Sequence, residues 1–181
     1  MRASPHYPAF LSLSGKRVLL VGGGTIAASK ALALARCGAL VTAVAPQLSP
    51  AVLRSAESAV RRRFRPDDLD GAALVICATD DEKLNERVSA LCRKRGIWAN
   101  VVDRPRLCDF ILPAVVRRGR LAIAVSTGGA SPALAKHLRR KLERFLTPAD
   151  VLLAETLHAM RPRLLELGPA RRRRVIARLL R

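Results

Sequence analysis

The chain has 181 residues and a formal charge of +19, and half of its residues are apolar. A chain of this length can bury a core of ordinary size and carry an appendage, so it does not need disulfides to fold. Its four cysteines form no C-x-x-C pair and, with three scattered histidines, give no zinc spacing. We therefore predict reduced thiols, no metal site and a cytoplasmic location.

The basic excess is uneven along the chain. Residues 113–181 carry 16 basic and 4 acidic side chains, against 17 and 10 in residues 1–112. Such a balance attracts anionic partners, although a solvated basic face is the alternative. Aromatic residues are too scarce for a stacking platform on single-stranded nucleic acid, and no apolar run has signal-peptide or membrane-spanning length. We expect no nucleic-acid partner and no membrane.

The first predicted strand leads directly into a glycine-rich turn. Residues 17–21 are mostly apolar, three glycines follow, and an alanine-rich run then favours a helix. In this G-x-G-x-x-A pattern, Gly22 permits the turn, Gly24 leaves room for a pyrophosphate, and Ala27 lets the helix approach the strand. The helix start favours a phosphate. We predict a dinucleotide site; the alternative is a glycine turn that only connects two elements.

Strands and helices alternate after this turn. Strands are predicted at 40–45, 74–78 and 98–102, with an edge strand at 61–64. Helices are predicted from Ser49-Pro50 to about Val60 and from Glu82 to Arg95. Residues 1–16 are predicted to be a lead-in packed on the sheet. This spacing is typical of a doubly wound parallel sheet. Residues 1–112 are therefore predicted to form an α/β Rossmann-type domain.

Four residues follow the predicted strand ends of this sheet. They are Gly22, Pro46, Thr79 and Asp103. Ligands of doubly wound sheets bind outside the carboxyl ends of the strands. We therefore expect all four residues to rim one crevice.

The pattern changes near Pro113. Two strands joined by a short turn are predicted at 111–116 and 121–126, and Ser131-Pro132 opens a basic helix to about Leu146. One face of that helix is apolar, with Leu134, Leu138, Leu142 and Phe145. A hairpin and one amphipathic helix are too small to stand alone, so residues 113–146 are predicted to be an α+β dimerisation region of a homodimer. The alternative is that this face packs on the Rossmann domain of its own chain.

Residues 147–181 are predicted to form a helical C-terminal domain. Helices are expected at about 149–166 and 170–180, separated by Gly168-Pro169. Four arginines, at positions 171 to 174, open the last helix and oppose its dipole. This indicates either an anionic partner or simple exposure to solvent.

Four motifs then follow one another in the chain: Val21-Gly22-Gly23-Gly24 with Ala27 and Lys30, Ala78-Thr79-Asp80-Asp81 with Asn85, Asn100-Val101-Val102-Asp103 with Cys108-Asp109-Phe110, and Ser126-Thr127-Gly128-Gly129 with Ser131-Pro132. From about Pro8 to Leu146, the chain resembles the precorrin-2 dehydrogenase family, also described as the sirohaem-synthase N-terminal family. The resemblance implies NAD-dependent oxidation of precorrin-2 to sirohydrochlorin by a homodimer, in some members joined to iron insertion.

The resemblance also implies residue roles. The cofactor would be held at its pyrophosphate, ribose and nicotinamide by Gly22, Gly23, Gly24, Thr25, Ile26, Pro46, Gln47, Ala78 and Thr79. Asp103 would be the catalytic carboxylate that accepts a proton, the alternative being a turn cap after a strand. The tetrapyrrole cleft would be bordered by Ser126, Thr127, Gly128 and Gly129.

The chain departs from the family pattern at two positions. Arg104 stands where relatives often carry a second acid, which leaves any role of that acid in chelation open. Pro46-Gln47 stands at the end of the second strand, where an acid could bind a ribose 2′-hydroxyl. The prediction of NAD rather than NADP as cofactor therefore rests on the resemblance alone.

The basic excess suits the eight carboxylates of the family's substrate. Candidate contacts are Arg117, Arg118, Arg120, Lys136, Arg139 and Arg140. Two other classes of function stay open. One is a non-catalytic nucleotide-sensing Rossmann module, and the other is a nucleic-acid-binding protein led by the arginines at 171 to 174.

Overall fold

The computed structural model describes residues 6–180. The chain divides between Leu112 and Pro113 into two compact units, here named the sheet unit and the hairpin unit. Across residues 6–180, no helix combines the length and apolar character needed to span a bilayer.

The sheet unit is built on five parallel strands. They are β1 (Arg17–Val21), β2 (Leu40–Val44), β3 (Ser58–Val60), β4 (Leu74–Cys77) and β5 (Trp98–Val101), in the order β3-β2-β1-β4-β5. The helices are α1 (Thr25–Ala35), α2 (Pro50–Ser55) and α3 (Glu82–Arg95), with 3₁₀ turns at Pro66–Leu69 and Pro105–Leu107. The order reverses between β1 and β4, where doubly wound sheets open a crevice. The predicted Rossmann-type sheet is confirmed.

Both faces of this sheet are covered. One apolar cluster joins β1 and β2 to Ala27 and Ala31 of α1, and another joins β4 and β5 to Val88 and Cys92 of α3. Strands buried on both faces must be apolar throughout rather than alternating. This explains the continuous apolar run of β1, in which residues 18–21 are at most 2% exposed.

The ends of α3 are fixed by local chemistry. The Asp81 carboxylate accepts a hydrogen bond from the Leu84 N–H at 3.0 Å, and Gly96 closes the helix with a left-handed φ of 66°. A side-chain N-cap and a C-terminal glycine are strong helix boundaries. The predicted bounds of this helix are confirmed.

The predicted elements between β2 and β4 were partly wrong. The helix that begins at Pro50 ends at Ser55 instead of near Val60, and the edge strand is Ser58–Val60 rather than 61–64. No proline or glycine breaks this segment. The chain becomes extended because its backbone pairs in parallel with β2, where the Glu57 N–H donates to the Val41 carbonyl at 2.9 Å. A distant strand therefore overrides local helix propensity.

The lead-in before β1 packs only at its end. Tyr7 and Phe10 are 90% and 70% exposed, and Leu13 packs against the core next to α1. The expectation of a lead-in covering 1–16 is therefore wrong for residues 7–11, and residues 1–5 lie outside the described residues.

The hairpin unit contains β6 (Ala114–Arg118) and β7 (Leu121–Val125), paired antiparallel, followed by α4 (Pro132–Phe145), α5 (Pro148–Glu166) and α6 (Pro169–Leu179). The predicted hairpin and helices are confirmed, although the first strand begins at Ala114 and not at Ile111. Within the described part of this unit, the apolar residues that reach full burial are Val116, Ala135 and Leu164. Arg181, the last residue of the predicted helical domain, lies outside the described residues.

Candidate cofactor site

The first two glycines of the turn after β1 are required by the chain's own backbone. Gly22 has a φ of 132°, and a Cβ there would lie 2.1 Å from the Ala78 carbonyl oxygen. A Cβ on Gly23 would lie 1.8 Å from the Gln47 carbonyl oxygen. Real Cβ atoms do not approach backbone oxygens so closely, so any larger residue at either position would force the turn or the neighbouring loop to shift.

Gly24 differs from its two neighbours. Its φ of −82° suits any residue, and apart from its chain neighbours no protein atom lies within 4 Å of the place where its Cβ would be. It is the N-cap of α1, with no side-chain cap and no acidic residue in the first turn. The first N–H groups of a helix lack intrahelical acceptors and attract anions. This open, uncapped helix start fits a dinucleotide pyrophosphate.

Backbone hydrogen bonds hold the turn in place. The Gly22 N–H donates to the Val44 carbonyl at 3.1 Å, and the Ser49 N–H donates to the Gly23 carbonyl at 2.9 Å. The Ala78 N–H donates to the Val21 carbonyl at 2.8 Å. The glycine turn is therefore tied to the ends of both strands that flank β1.

The loop after β4 is held from beneath by Asn85, a buried residue of α3. Its Nδ2 donates to the Thr79 carbonyl at 3.0 Å, and its Oδ1 accepts from the Cys77 Sγ at 3.0 Å. Burial raises the pKa of Cys77 to about 12, so its thiol keeps the proton that it donates. Thr79 Oγ1 accepts from the Asp81 N–H at 2.9 Å. Asn85 is thus a positioning residue for the Thr79 loop.

The turn and this loop enclose a cavity of about 390 Å³, here named the glycine cavity. The structure brings all nine predicted cofactor residues together in its lining: Gly22, Gly23, Gly24, Thr25, Ile26, Pro46, Gln47, Ala78 and Thr79. Ala45 and Asp80 complete the lining. That these residues hold the cofactor stays a prediction.

A second cavity of about 510 Å³, here named the basic cavity, shares Gly22, Ala45, Pro46 and Thr79 with the first. Its lining adds three cationic side chains that the sequence analysis missed: Arg63, Lys83 and Arg87. Lys83 and Arg87 stand one turn apart near the start of α3, and this i, i+4 spacing was the available signal. Arg63 had been assigned to an edge strand.

Asp103 does not line either cavity. It is exposed, and it occupies the third position of a turn that the Arg104 N–H closes on the Val101 carbonyl at 3.2 Å. Its φ of 58° is left-handed, an uncommon conformation that aspartate tolerates better than most residues. The expectation of one crevice is therefore right for Gly22, Pro46 and Thr79 and wrong for Asp103. The reason is that β5 is the edge strand, two places from β1.

The segment after Asp103 folds back and covers the edge of β5. The Ala99 N–H donates to Asp109 Oδ2 at 2.9 Å, and the Val101 N–H donates to Cys108 Sγ at 3.2 Å. Asn100 Nδ2 donates to the Phe110 carbonyl at 2.8 Å. Exposed edges need such cover. The Cys-Asp-Phe motif therefore fixes the turn that carries Asp103.

The predicted substrate loop lies in the hairpin unit, between β7 and α4. Ser126 Oγ accepts from the Gly128 N–H at 3.1 Å, and Thr127 Oγ1 accepts from the Ser131 N–H at 3.1 Å. Gly128 and Gly129 have φ values of 62° and 87° with open space around them. The loop is thus ordered by its own side chains. Its role beside a tetrapyrrole stays a prediction.

The candidate substrate cations of the hairpin unit differ in their partners. Arg118 donates to the Leu146 carbonyl at 2.7 Å, Arg120 pairs with Glu155 at 2.9 Å, and Arg139 pairs with Glu143 at 2.9 Å. Lys136 and Arg140 are exposed on α4. The first three side chains already have protein partners, so Lys136 and Arg140 are better placed to meet an anion.

A parallel sheet in this order, with a glycine turn opening onto an uncapped helix, defines a Rossmann-type nucleotide-binding protein. The model of a family described as putative NAD(P)-binding matches residues 9–114. A second model, described as sirohaem biosynthesis protein central, matches residues 118–144.

Similar proteins agree with these matches. The siroheme synthases of Thioalkalivibrio sulfidiphilus and Azotobacter vinelandii are 43% and 42% identical over 86% and 94% of this chain. The chain spans 32% and 38% of their lengths, about a third of each. A solved structure of SirC, precorrin-2 dehydrogenase, has a TM-score of 0.79 and 27% identity, covering 97% of this chain and 90% of that one.

The chain belongs to the family described as putative NAD(P)-binding. The match to the sirohaem biosynthesis model and the likeness to SirC support the resemblance to the precorrin-2 dehydrogenase and sirohaem-synthase N-terminal proteins. The family resemblance found in the sequence is confirmed. Membership supports a nicotinamide dinucleotide as the cofactor.

Proposed function

We propose that the chain oxidises precorrin-2 to sirohydrochlorin with a nicotinamide dinucleotide as acceptor. The likeness to SirC over nearly the whole chain is the observation that carries the proposal. The cofactor would supply the hydride acceptor. The chain would supply binding, orientation and a base.

Cofactor binding is assigned to the glycine cavity. The uncapped start of α1 would hold the pyrophosphate through backbone N–H groups, and the open space at Gly24 would let it approach. Pro46 and Gln47 would flank the adenosine ribose, and Thr79, fixed by Asn85, would lie on the nicotinamide side. NAD as the particular acceptor follows from the family resemblance.

Asp103 is proposed as the base. Loss of a hydride from a ring carbon leaves a proton to be removed elsewhere on the macrocycle, and an exposed carboxylate can accept it. Its left-handed turn, held by the cover on β5, fixes the carboxylate outside the glycine cavity. The side chain would thus meet the substrate rather than the cofactor.

The hairpin unit is proposed to form the interface of a homodimer through residues 113–146. Leu134, Leu138 and Phe145 of α4 are 47%, 36% and 77% exposed, whereas the buried residue of this helix is Ala135. Three large apolar side chains on one short helix commonly mark an interface. We propose a second copy of the chain as their cover, and precorrin-2, a polycarboxylate, as the ligand of the nearby cations.

The test is oxidation of freshly prepared precorrin-2 under anaerobic conditions, with NAD, with NADP and with neither. Sirohydrochlorin formed together with the reduced cofactor supports the proposal. Adding ferrous iron to the same cuvette then tests iron insertion, which the resemblance implies for some family members.

Asp103→Asn is the matched variant, since asparagine also tolerates a left-handed φ. We expect oxidation to fall at least about a hundredfold, as for loss of a general base, with dinucleotide affinity unchanged. An active variant would place the base elsewhere. Cofactor binding without turnover in the unmodified chain would favour the alternative of a nucleotide-sensing module, which the position of Asp103 outside both cavities also allows.

A further inference from the structure

We propose that the basic cavity binds a phosphate at the adenosine 2′-position, so that the chain accepts NADP as well as NAD. The inference rests on the dinucleotide site of the proposed function. It concerns three residues for which neither the motifs nor the family resemblance assigns a role: Arg63, Lys83 and Arg87.

The fold brings Arg63 to the place where an adenosine ribose would lie. Strand β3 pairs in parallel with β2, and the Ala45 N–H donates to the Val60 carbonyl at 3.2 Å. The chain then continues past the end of β2, and Arg63 lines the same cavity as Pro46. In dinucleotide-binding sheets the residue at the end of β2 recognises the ribose, as an acid for a 2′-hydroxyl, while an arginine nearby accommodates a 2′-phosphate.

The three cations are available to a ligand. Arg62, beside Arg63, is fixed by two hydrogen bonds to the Asp68 carboxylate at 2.9 and 2.6 Å. Within residues 6–180, the side chains of Arg63, Lys83 and Arg87 have no carboxylate partner. All three are exposed.

The charge of the cavity is strongly one-sided. Among its described lining residues, Asp81 is the one carboxylate, and that side chain already caps α3 by accepting from the Leu84 N–H. Three cations against one carboxylate leave the cleft with a net positive charge, which favours binding of a phosphate. The cavity volume, about 510 Å³, lies in the range of ligand sites.

The same cations could instead contact the pyrophosphate, and simple probes separate the two cases. We would measure binding of 5′-AMP, ADP and adenosine 2′,5′-bisphosphate by calorimetry at one ionic strength. ADP and the 2′,5′-bisphosphate both add a phosphate to AMP, but only the second adds it on the 2′-oxygen. We expect the 2′,5′-bisphosphate to bind about tenfold more tightly than ADP, as for one added charge-assisted contact.

The variant Arg63→Gln with Lys83→Gln should lose this preference. Its control, Arg61→Gln with Lys94→Gln, removes the same charge from exposed residues that line neither cavity and should keep the preference. Equal binding of ADP and the 2′,5′-bisphosphate, or a preference that persists in the first variant, would overturn the inference.

The inference and the proposed function can fail separately. A 2′-phosphate preference in a chain that does not oxidise precorrin-2 would support the phosphate site and remove the dehydrogenase proposal. Oxidation with NAD but no 2′-phosphate preference would support the dehydrogenase proposal and overturn the phosphate site.

Discussion

The sheet unit and the hairpin unit differ in how they cover their apolar residues. In the sheet unit, two clusters fill both sides of the strands, and long runs of side chains are almost fully buried. Among the described residues of the hairpin unit, three apolar residues are buried, while large ones such as Phe145 and Leu152 are 77% and 69% exposed. The difference teaches that the sheet unit buries its apolar residues within itself, whereas the hairpin unit leaves large apolar side chains exposed.

The largest effect is expected for a substitution that tests whether the surrounding backbone of the sheet unit requires glycine in its turn. Gly23→Ala would push a Cβ against the Gln47 carbonyl, so the two loops must move apart. We expect a loss of about 3 kcal/mol in the free energy of unfolding, measured with urea. A variant of unchanged stability would contradict the stated role of Gly23.

Gly24→Ser is the matched control for that substitution. Serine suits the N-cap of α1 and has open space there, so stability should stay the same or rise. Its hydroxyl would occupy the free N–H groups, and we expect dinucleotide affinity to fall about tenfold.

The next effect tests whether a second copy covers the hairpin unit. Leu134→Glu with Leu138→Glu would place two charges on the exposed apolar face of α4. Only the exposed 47% and 36% of these side chains would be newly buried, so each contributes roughly 1 kcal/mol to such an interface. The added charges oppose association further, so we expect monomers in light scattering at micromolar concentration. Lys136→Glu, on the same helix, is the control. An unchanged dimer would place the interface elsewhere, and a monomeric unmodified chain would remove the homodimer proposal.

A smaller effect concerns acid stability of the sheet unit. Hydrogen bonds from Arg62 lower the pKa of Asp68, a side chain that is 9% exposed. Because the folded pKa is depressed, the contribution of Asp68 is present above its unfolded pKa of about 3.9 and is lost as pH falls below that value.

Asp68→Asn should therefore cost about 1–3 kcal/mol at neutral pH, and the difference from the unmodified chain should shrink below about pH 4. Urea unfolding across pH measures this, with Asp67→Asn in the same turn as control. A constant difference at all pH values would contradict the assigned cause.

The smallest effect is expected in the hairpin unit. Arg120 and Glu155 pair at 2.9 Å with about half of each side chain exposed. Exposed pairs contribute little because water screens them, so Glu155→Gln should change stability by less than about 0.5 kcal/mol. A loss of stability as large as that expected for Asp68→Asn would show that the ion pairs of the two units contribute equally.

The sequence predicted those elements whose ends depend on neighbouring residues. Asp81 and Gly96 fix α3, and Ser131 caps α4. The end of α2 was missed because pairing with β2, not any breaker, stops the helix there. Local patterns cannot show such pairing.

The residues of the candidate site likewise include some that the sequence could predict and some that it could not. The residues that line the glycine cavity follow the ends of predicted strands. The order of predicted strands and helices along the chain was therefore enough to identify them. Arg63 could not, since its place depends on the register between β3 and β2. Asp103 was assigned to the crevice because the sequence does not state that β5 lies at the edge of the sheet.

The bonds that tie the glycine turn and the Thr79 loop have a kinetic consequence. Ser49, Val44 and Asn85 hold these segments through hydrogen bonds within the protein itself. Little backbone has to be ordered when a dinucleotide arrives, so association should be limited by diffusion and orientation rather than by loop closure. Differences in affinity among nucleotides should then appear in how long each one stays bound.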